Sequence, residues 1–235
     1  LDDYPGVKPS LDQIHVAGVN SDGQLVTERY LLRDYLVCEV SKGDDLYYLS
    51  YGSWHKAARR FVDRVRAEVR SLQDVTDDLK LPAMKFREHE KDYNARVAED
   101  KDWLLLDRKT FPMGGYDKVE VCDILTDDGE LIAVKRMKDS ANMSHLFAQA
   151  SVSAGLLTGE QDYRDHLVKV AKKKWPRNPL SPHDRLFVYA IPQGKKGGLW
   201  REMFLFSQIN LLEHVRTIRA TGHRVALCKV EYLEA

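Results

Sequence analysis

KVEVCDILTDDGELIAVKR, residues 118–136, is the stretch on which the fold turns. Two apolar runs flank TDDG, a sequence suited to a tight hairpin because its glycine accepts the positive φ that such turns require. Each run carries one charge at a position where an apolar residue is expected: Asp123 after Val-Cys and Lys135 after Ala-Val. With the turn centred on residues 127–129, Leu125 falls opposite Leu131 and Asp123 opposite Ala133. Side chains alternate along a strand, and directly paired residues share a face. Asp123, Ala133 and Lys135 are therefore expected on one side, and Glu120, Cys122, Val134 and Arg136 on the other. Such a pair is either a cross-strand ion pair on a half-solvated face, worth about 0–1 kcal/mol, or part of a site.

The order of elements around this hairpin is informative. Upstream, REHEKDYNARVAED reads as a helix and DWLLLDRK as a strand. Downstream, NMSHLFAQASVSAGLL reads as a helix with Ser140, Asn142 or Ser144 as cap. YRDHLVKVAKKKW reads as a basic helix stopped by Pro176 and Pro179, and RLFVYAI as a buried strand. SQINLLEHVRTIRATG reads as a helix capped by Ser207 and stopped by Gly222, followed by the strand HRVALCKVEYL.

The first 80 residues differ. QIHVAGV and QLVTERY around NSDG, then DYLVCEV and LYYLSY around SKGDD, predict two hairpins. GSWHKAARRFVDRVRAEVRSL then predicts a helix capped by Ser53, with Ala58, Phe61, Val62, Val65, Val69 and Leu72 on its apolar stripe. The expected organisation is a strand-rich module with one long helix over residues 1–80 and a larger unit over 84–235. The boundary falls in the acidic, Pro-terminated stretch near 76–86.

With 235 residues, 43% of them hydrophobic, the chain can bury a sizeable core. Its 36 basic and 36 acidic residues balance, which excludes a uniformly basic nucleic-acid binder but not segregated charge. No run approaches the length of a membrane-spanning helix, and no signal segment opens the chain, so a cytoplasmic, non-membrane protein is expected. Leu1 rather than Met is the first residue, which leads one to expect a piece of a longer parent chain or a processed product. Cys38, Cys122 and Cys228 each lie in an apolar run without short spacing, as buried thiols rather than a disulfide or zinc framework.

Helix, three strands, helix, strand, with an acid on the second strand and a lysine on the third, resembles the core of PD-(D/E)XK nucleases, the restriction-endonuclease-like fold. The resemblance implies an α/β (α+β) protein with an αβββαβ core. It also implies metal-assisted phosphodiester hydrolysis, in which carboxylates hold Mg²⁺ and a lysine orients the nucleophile or stabilises developing charge. Asp123 matches the acid and metal ligand, and Lys135 the lysine. Ala133 departs from the pattern, because the family places Glu or Asp two residues before the lysine. Glu90 is the expected substitute ligand, with Glu88 and Asp107 as further candidates. Gln149, one turn beyond His145, matches the glutamine that many such nucleases carry on the next helix.

A wider resemblance runs from about residue 10 to the end. YGSWHKAARRFVDRV, EKDYNARVAED, VEVCDILTDDGELIAVKR and SHLFAQASVSAGLL are similar to the C-terminal part of a sporadically distributed family of uncharacterised bacterial proteins. That family tends to occur among mobile and anti-phage defence genes. It implies a defence context and lends no reaction.

A second candidate region is the basic run RDHLVKVAKKKWPRNP with QGKKGGLWR. Lys172, Lys173, Lys174, Arg177, Lys195, Lys196 and Arg201, interleaved with Trp175 and Trp200, offer phosphate contacts and stacking surfaces for nucleic acid. The leading expectation is a Mg²⁺-dependent nuclease-like domain acting on DNA or RNA in anti-phage defence. The alternatives are a catalytically inactive nucleic-acid-binding module, or an assembly or sensor domain that forms oligomers, on the same fold.

Overall fold

The computed structural model describes residues 13–233 except 44, 108–109, 114–115, 178–180, 182 and 195–196, with 110–113 and 116–120 described as backbone alone. The chain divides into two compact units, one ending at Arg64 and the other beginning at Val65.

In the first unit, β1 (His15–Val16) pairs antiparallel with β2 (Tyr30–Leu31), and a short helix α1 (Leu32–Tyr35) follows. A three-stranded antiparallel sheet is built from β3 (Cys38–Lys42), β4 (Asp45–Ser50) and β5 (Ser53–Lys56). The predicted hairpins are both present, but Ser53 is not a helix cap. Tyr51 and Gly52 take φ of 47° and 70°, the paired positive values of a two-residue hairpin turn. That turn folds Ser53–Lys56 back onto β4 as a third strand. The helix, α2, therefore starts only at Arg59 and runs to Arg70. Val62, Val65, Val69 and Leu72 are buried as its periodicity predicts, while Phe61 and Ala58, at the outer limit of the stripe, are exposed.

The division inside α2 lies upstream of the boundary expected at 76–86. β6 (Gln73–Asp74) joins the large sheet of the second unit beside its last strand, and a one-turn helix α3 (Thr76–Leu79) follows where an acidic loop was expected.

The second unit continues with α4 (Glu90–Asp100), β7 (Leu104–Leu105), β8 (Thr110–Met113), β9 (Tyr116–Glu120), β10 (Ile124–Leu125) and β11 (Leu131–Val134). After these come α5 (Ser140–Gly159), α6 (Gln161–Lys174), β12 (Leu186–Gln193), α7 (Leu199–Glu202), α8 (Leu205–Ala220) and β13 (Arg224–Glu231). Six strands form one mixed sheet in the order β6-β13-β12-β11-β10-β7. β7, β10 and β11 make an antiparallel meander, and β12, β13 and β6 run parallel to β11. The mixed α/β architecture expected from the sequence is present.

Two helical layers cover this sheet. On one face Tyr93, Val97 and Ala98 of α4 and Leu79 of α3 pack with Ile124, Ile132, Val134, Val188, Ala190 and Cys228. On the other, α5 lies over β11 and β12, where Phe147 meets the Tyr189 ring edge-on at 5.1 Å, and α8 runs beside α5. β12 is buried throughout because it is central and covered on both faces.

Three local expectations change. KVEVCDILT is not one strand: β9 pairs with β8 as a separate hairpin, the chain bends at 121–123, and only Ile124–Leu125 joins the sheet. α5 is capped by Asp139, whose Oδ1 accepts the Asn142 N–H at 2.8 Å. α8 begins before Ser207, because Gln208 Nε2 donates to the carbonyls of Trp200 (3.0 Å) and Met203 (2.8 Å) and anchors the preceding turn. Gly222 ends that region with φ 81°, as its position predicts. Of the three cysteines, Cys122 and Cys228 are buried, whereas Cys38 on β3 is exposed.

Candidate functional site

Ile124 pairs with Ile132 and Leu125 with Leu131, the register predicted for the hairpin, which would bring Asp123 opposite Ala133 if the ladder continued, but it ends at Ile124. The consequence for Asp123 differs. Lys135 N–H donates to Ala190 O on β12 at 3.1 Å, so the alternate N–H, that of Val134, faces the β10 side. β10 has already left the sheet there. Asp123 fills the gap: its backbone N–H donates to Ile132 O (2.9 Å), and its Oδ2 accepts the Val134 N–H at 2.6 Å. The residue is 8% exposed. The carboxylate thus replaces the missing strand as a hydrogen-bond acceptor for a buried amide.

Lys135 does not join Asp123. It stands one residue beyond the end of β11, where strand alternation no longer constrains it. Its Nζ donates to Glu90 Oε2 at 2.8 Å, on the first residue of α4, the helix that covers the opposite face from Tyr189. Arg136 N–H donates to Glu90 Oε1 at 3.2 Å. Glu90 is placed favourably by the positive end of the α4 dipole. The Lys135 and Glu90 side chains are 28% and 30% exposed. The expected same-side trio of Asp123, Ala133 and Lys135 is therefore divided. Glu90 and Lys135, 45 residues apart in sequence, are brought together.

Ala133 pairs with Tyr189 on the face covered by α5 and is buried there. A carboxylate at this position would sit under the Phe147–Tyr189 ring pair. Of the other candidate acids, Glu88 is held by Arg96 through two hydrogen bonds of 2.8 and 2.9 Å, which keep its carboxyl below the usual range. Asp107 is Asp123's neighbour at backbone level, its N–H donating to Asp123 O at 2.9 Å. Gln149 is half-buried on α5, and His145 is exposed. Among the described residues no three His, Cys, Asp or Glu side chains converge as a metal ion would need. Asp123 and Glu90 in particular are committed to separate partners.

What the structure does build is a cleft of about 430 Å³ where the parallel strand β11 ends. Lys91, Lys135, Arg136 and Lys138 line it, against Glu88 and Glu90. Both acids are already paired, Glu88 with Arg96 and Glu90 with Lys135. The Arg136 guanidinium lies 3.8 Å from the ring centroid of Tyr232, the residue after β13. The carboxyl ends of parallel strands are where open α/β sheets bind ligands. Lys91, Arg136 and Lys138 were not singled out from sequence, although VKRMK immediately after an apolar strand places cations at that strand's carboxyl end.

Among the described residues, the second basic region is not gathered into one patch. Lys172 and Lys173 are exposed on the last turn of α6, and Lys174 Nζ bonds Asp102 Oδ1 at 2.7 Å, just beyond the C-terminus of α4. Arg177 is exposed after α6. Arg201 is on α7, past the carboxyl end of β12, with its guanidinium 5.0 Å from the Trp200 ring. α4 begins at the cleft and ends near Lys174, so α6's lysines and the cleft lie at opposite ends of that helix. Lys195 and Lys196 lie outside the described residues.

Among the described residues no helix is long and apolar enough to cross a membrane. Neither a curated protein nor a solved structure matches the chain. A model of a family of unknown function, DUF6119, matches residues 6–231, nearly the whole length, and the chain belongs to that family.

Proposed function

We propose that the second unit is a nucleic-acid-directed module on a restriction-endonuclease-like sheet, and that it grips the phosphate backbone in the cleft at the end of β11. The observation that carries this is the cation surplus. Both cleft acids are spent on Arg96 and Lys135, which leaves Lys91, Arg136 and Lys138 without a carboxylate partner among the described residues. Lysine and arginine neutralise phosphates and release condensed counterions. An arginine held against an aromatic ring keeps N–H donors available for phosphate oxygens. The element order supports the core assignment: α4, the β7–β10–β11 meander, α5, then β12 parallel to β11.

The test is fluorescence anisotropy with labelled DNA and RNA, single-stranded and duplex, at 50–200 mM salt. Binding is expected to weaken steeply with salt. Replacing Lys91, Arg136 and Lys138 by Ala together should lower affinity about tenfold or more and reduce the salt slope by about 2–3. Neutralising Lys172 and Lys173 should change affinity less than about threefold. Absence of binding to every probe at 50 mM salt, or an unaffected triple variant, refutes the reading.

A second reading, metal-dependent phosphodiester cleavage, is favoured by one observation: Asp107 and Asp123, just past β7 and just before β10, adjoin through the Asp107 N–H to Asp123 O hydrogen bond, with Asp123 buried. The donors among the described residues do not compose a magnesium site. Mg²⁺- or Mn²⁺-dependent cleavage that Asp123→Asn abolishes while the fold persists would establish this reading over simple binding.

A further inference from the structure

Residues 199–207 alternate in an unusual way. Leu199, Met203, Leu205 and Ser207 are buried, while Phe204 and Phe206 stand out at 46% and 55% exposure. A segment anchored by its buried residues thus presents two phenyl rings to solvent on its outer side. The anchoring is rigid, because the Gln208 amide holds the carbonyls of Trp200 and Met203 together. Next to them, Trp200 carries two arginines, Arg70 at 3.5 Å from its ring centroid and Arg201 at 5.0 Å. Exposed aromatics beside cations are the composition of a surface that stacks unpaired bases and tracks their phosphates.

The position of this segment matters. It is the next described element after β12 in the chain, and β12 pairs with β11, whose end forms the cationic cleft. The last residue of β12, at the carboxyl edge of the sheet, is Gln193. It is only 8% exposed, and neither its amide nitrogen nor its amide oxygen has a hydrogen-bond partner among the described residues. Its backbone neighbours in the sheet are the ends of the cleft strand and of β13: Met137 N–H donates to Pro192 O, and Tyr232 N–H to Gln193 O. A buried amide with both groups unmet is costly and is the kind of group that a base edge or sugar hydroxyl would satisfy.

We propose that the carboxyl edge of the sheet is a track for single-stranded nucleic acid, with phosphates in the Lys91–Arg136–Lys138 cleft and bases stacked on Phe204 and Phe206. Gln193 supplies a polar contact between the two. This rests on the nucleic-acid reading of the cleft and adds strand preference to it. A duplex keeps its bases stacked on each other and has no free ring faces to offer the two phenylalanines.

The experiment compares a labelled single-stranded 12-mer (dT or rU) with a duplex of the same length, using the whole chain. Wild type is expected to prefer the single strand. Phe204→Ala/Phe206→Ala should lower single-strand affinity roughly tenfold, leave duplex affinity unchanged and leave the salt slope intact, which separates stacking from phosphate contacts. Gln193→Met should weaken single-strand binding while maintaining or raising the melting temperature. Both phenylalanines are exposed, and a melting curve verifies that the variants fold. If wild type binds single strand and duplex equally and the Phe pair is neutral, this inference fails while the cleft reading stands. If wild type binds nothing, both fail. If wild type is a dimer that the Phe variant dissociates, the surface is a protein interface and the inference is overturned.

Discussion

Replacing Asp123 separates a structural carboxylate from a reacting one. In the folded chain Asp123 Oδ2 accepts the Val134 N–H at 2.6 Å, and both residues are buried. Hydrogen bonds to charged groups contribute about 1.5–3 kcal/mol, and an amide left buried without an acceptor costs about 1–3 kcal/mol. Part of this is offset, because the alanine substitution removes a nearly buried carboxylate from a low-dielectric setting. The expected net loss for Asp123→Ala is about 2 kcal/mol. For a unit of this size each kcal/mol moves the melting temperature by about 2–4 °C, so the midpoint should fall by about 4–8 °C in differential scanning calorimetry. Asp123→Asn retains an acceptor oxygen and loses only the charge, so its loss should be about half as large. Two results refute the reasoning: an Asp123→Ala protein that melts within about 1 °C of wild type, or an Asn variant as unstable as the Ala variant. The first would mean that Val134 finds another acceptor, and the second that charge rather than hydrogen bonding holds the site.

Further expectations concern other parts of the molecule. His223 Nδ1 accepts the Arg185 N–H at 3.1 Å, and burial lowers the pKa of both His223 and His214 from the usual 6.5. The unfolded chain then takes up protons first, so stability should be level above about pH 6.5 and decline as pH falls below it. Urea midpoints at pH 7.5 and 5.5 test this, and a His214→Gln/His223→Gln variant should show a weaker dependence; an unchanged or higher midpoint at pH 5.5 would contradict it. In thiol labelling, Cys38 should react at once in the native protein. Cys122 and Cys228 should react only on unfolding, since burial pushes the Cys228 thiol up to about 12 and Cys122 well above its ordinary value. Mass spectrometry finding two native adducts would count against the buried placement. Gly52→Ala places a side chain at φ 70° with its Cβ 2.5 Å from Asp34 Oδ1. It should destabilise the β3–β4–β5 sheet by about 1–2 kcal/mol, seen as roughly tenfold faster amide exchange in β4 and β5, and unchanged exchange there would dismiss the turn argument.

Much of the fold was legible without coordinates. TDDG between two apolar runs determines the pairing of Leu125 with Leu131, because the turn length leaves one register that keeps both apolar faces buried. The periodic apolar runs of α5 and α8, the stop at Gly222, the fully buried β12 and the largely buried β13 also follow from local pattern. The candidate site was legible only as a list of residue types. That Asp123 caps an amide follows from the departure of β10 from the sheet two residues early. That Lys135 turns to Glu90 follows from the approach of α4's first turn to the end of β11. Gly52, not helical periodicity, decides that Ser53–Lys56 are a strand. Local patterns report which face of an element is apolar. Where a charge finds its partner depends on which chain segments, tens of residues apart, end at the same edge of the sheet, and only the folded chain decides that.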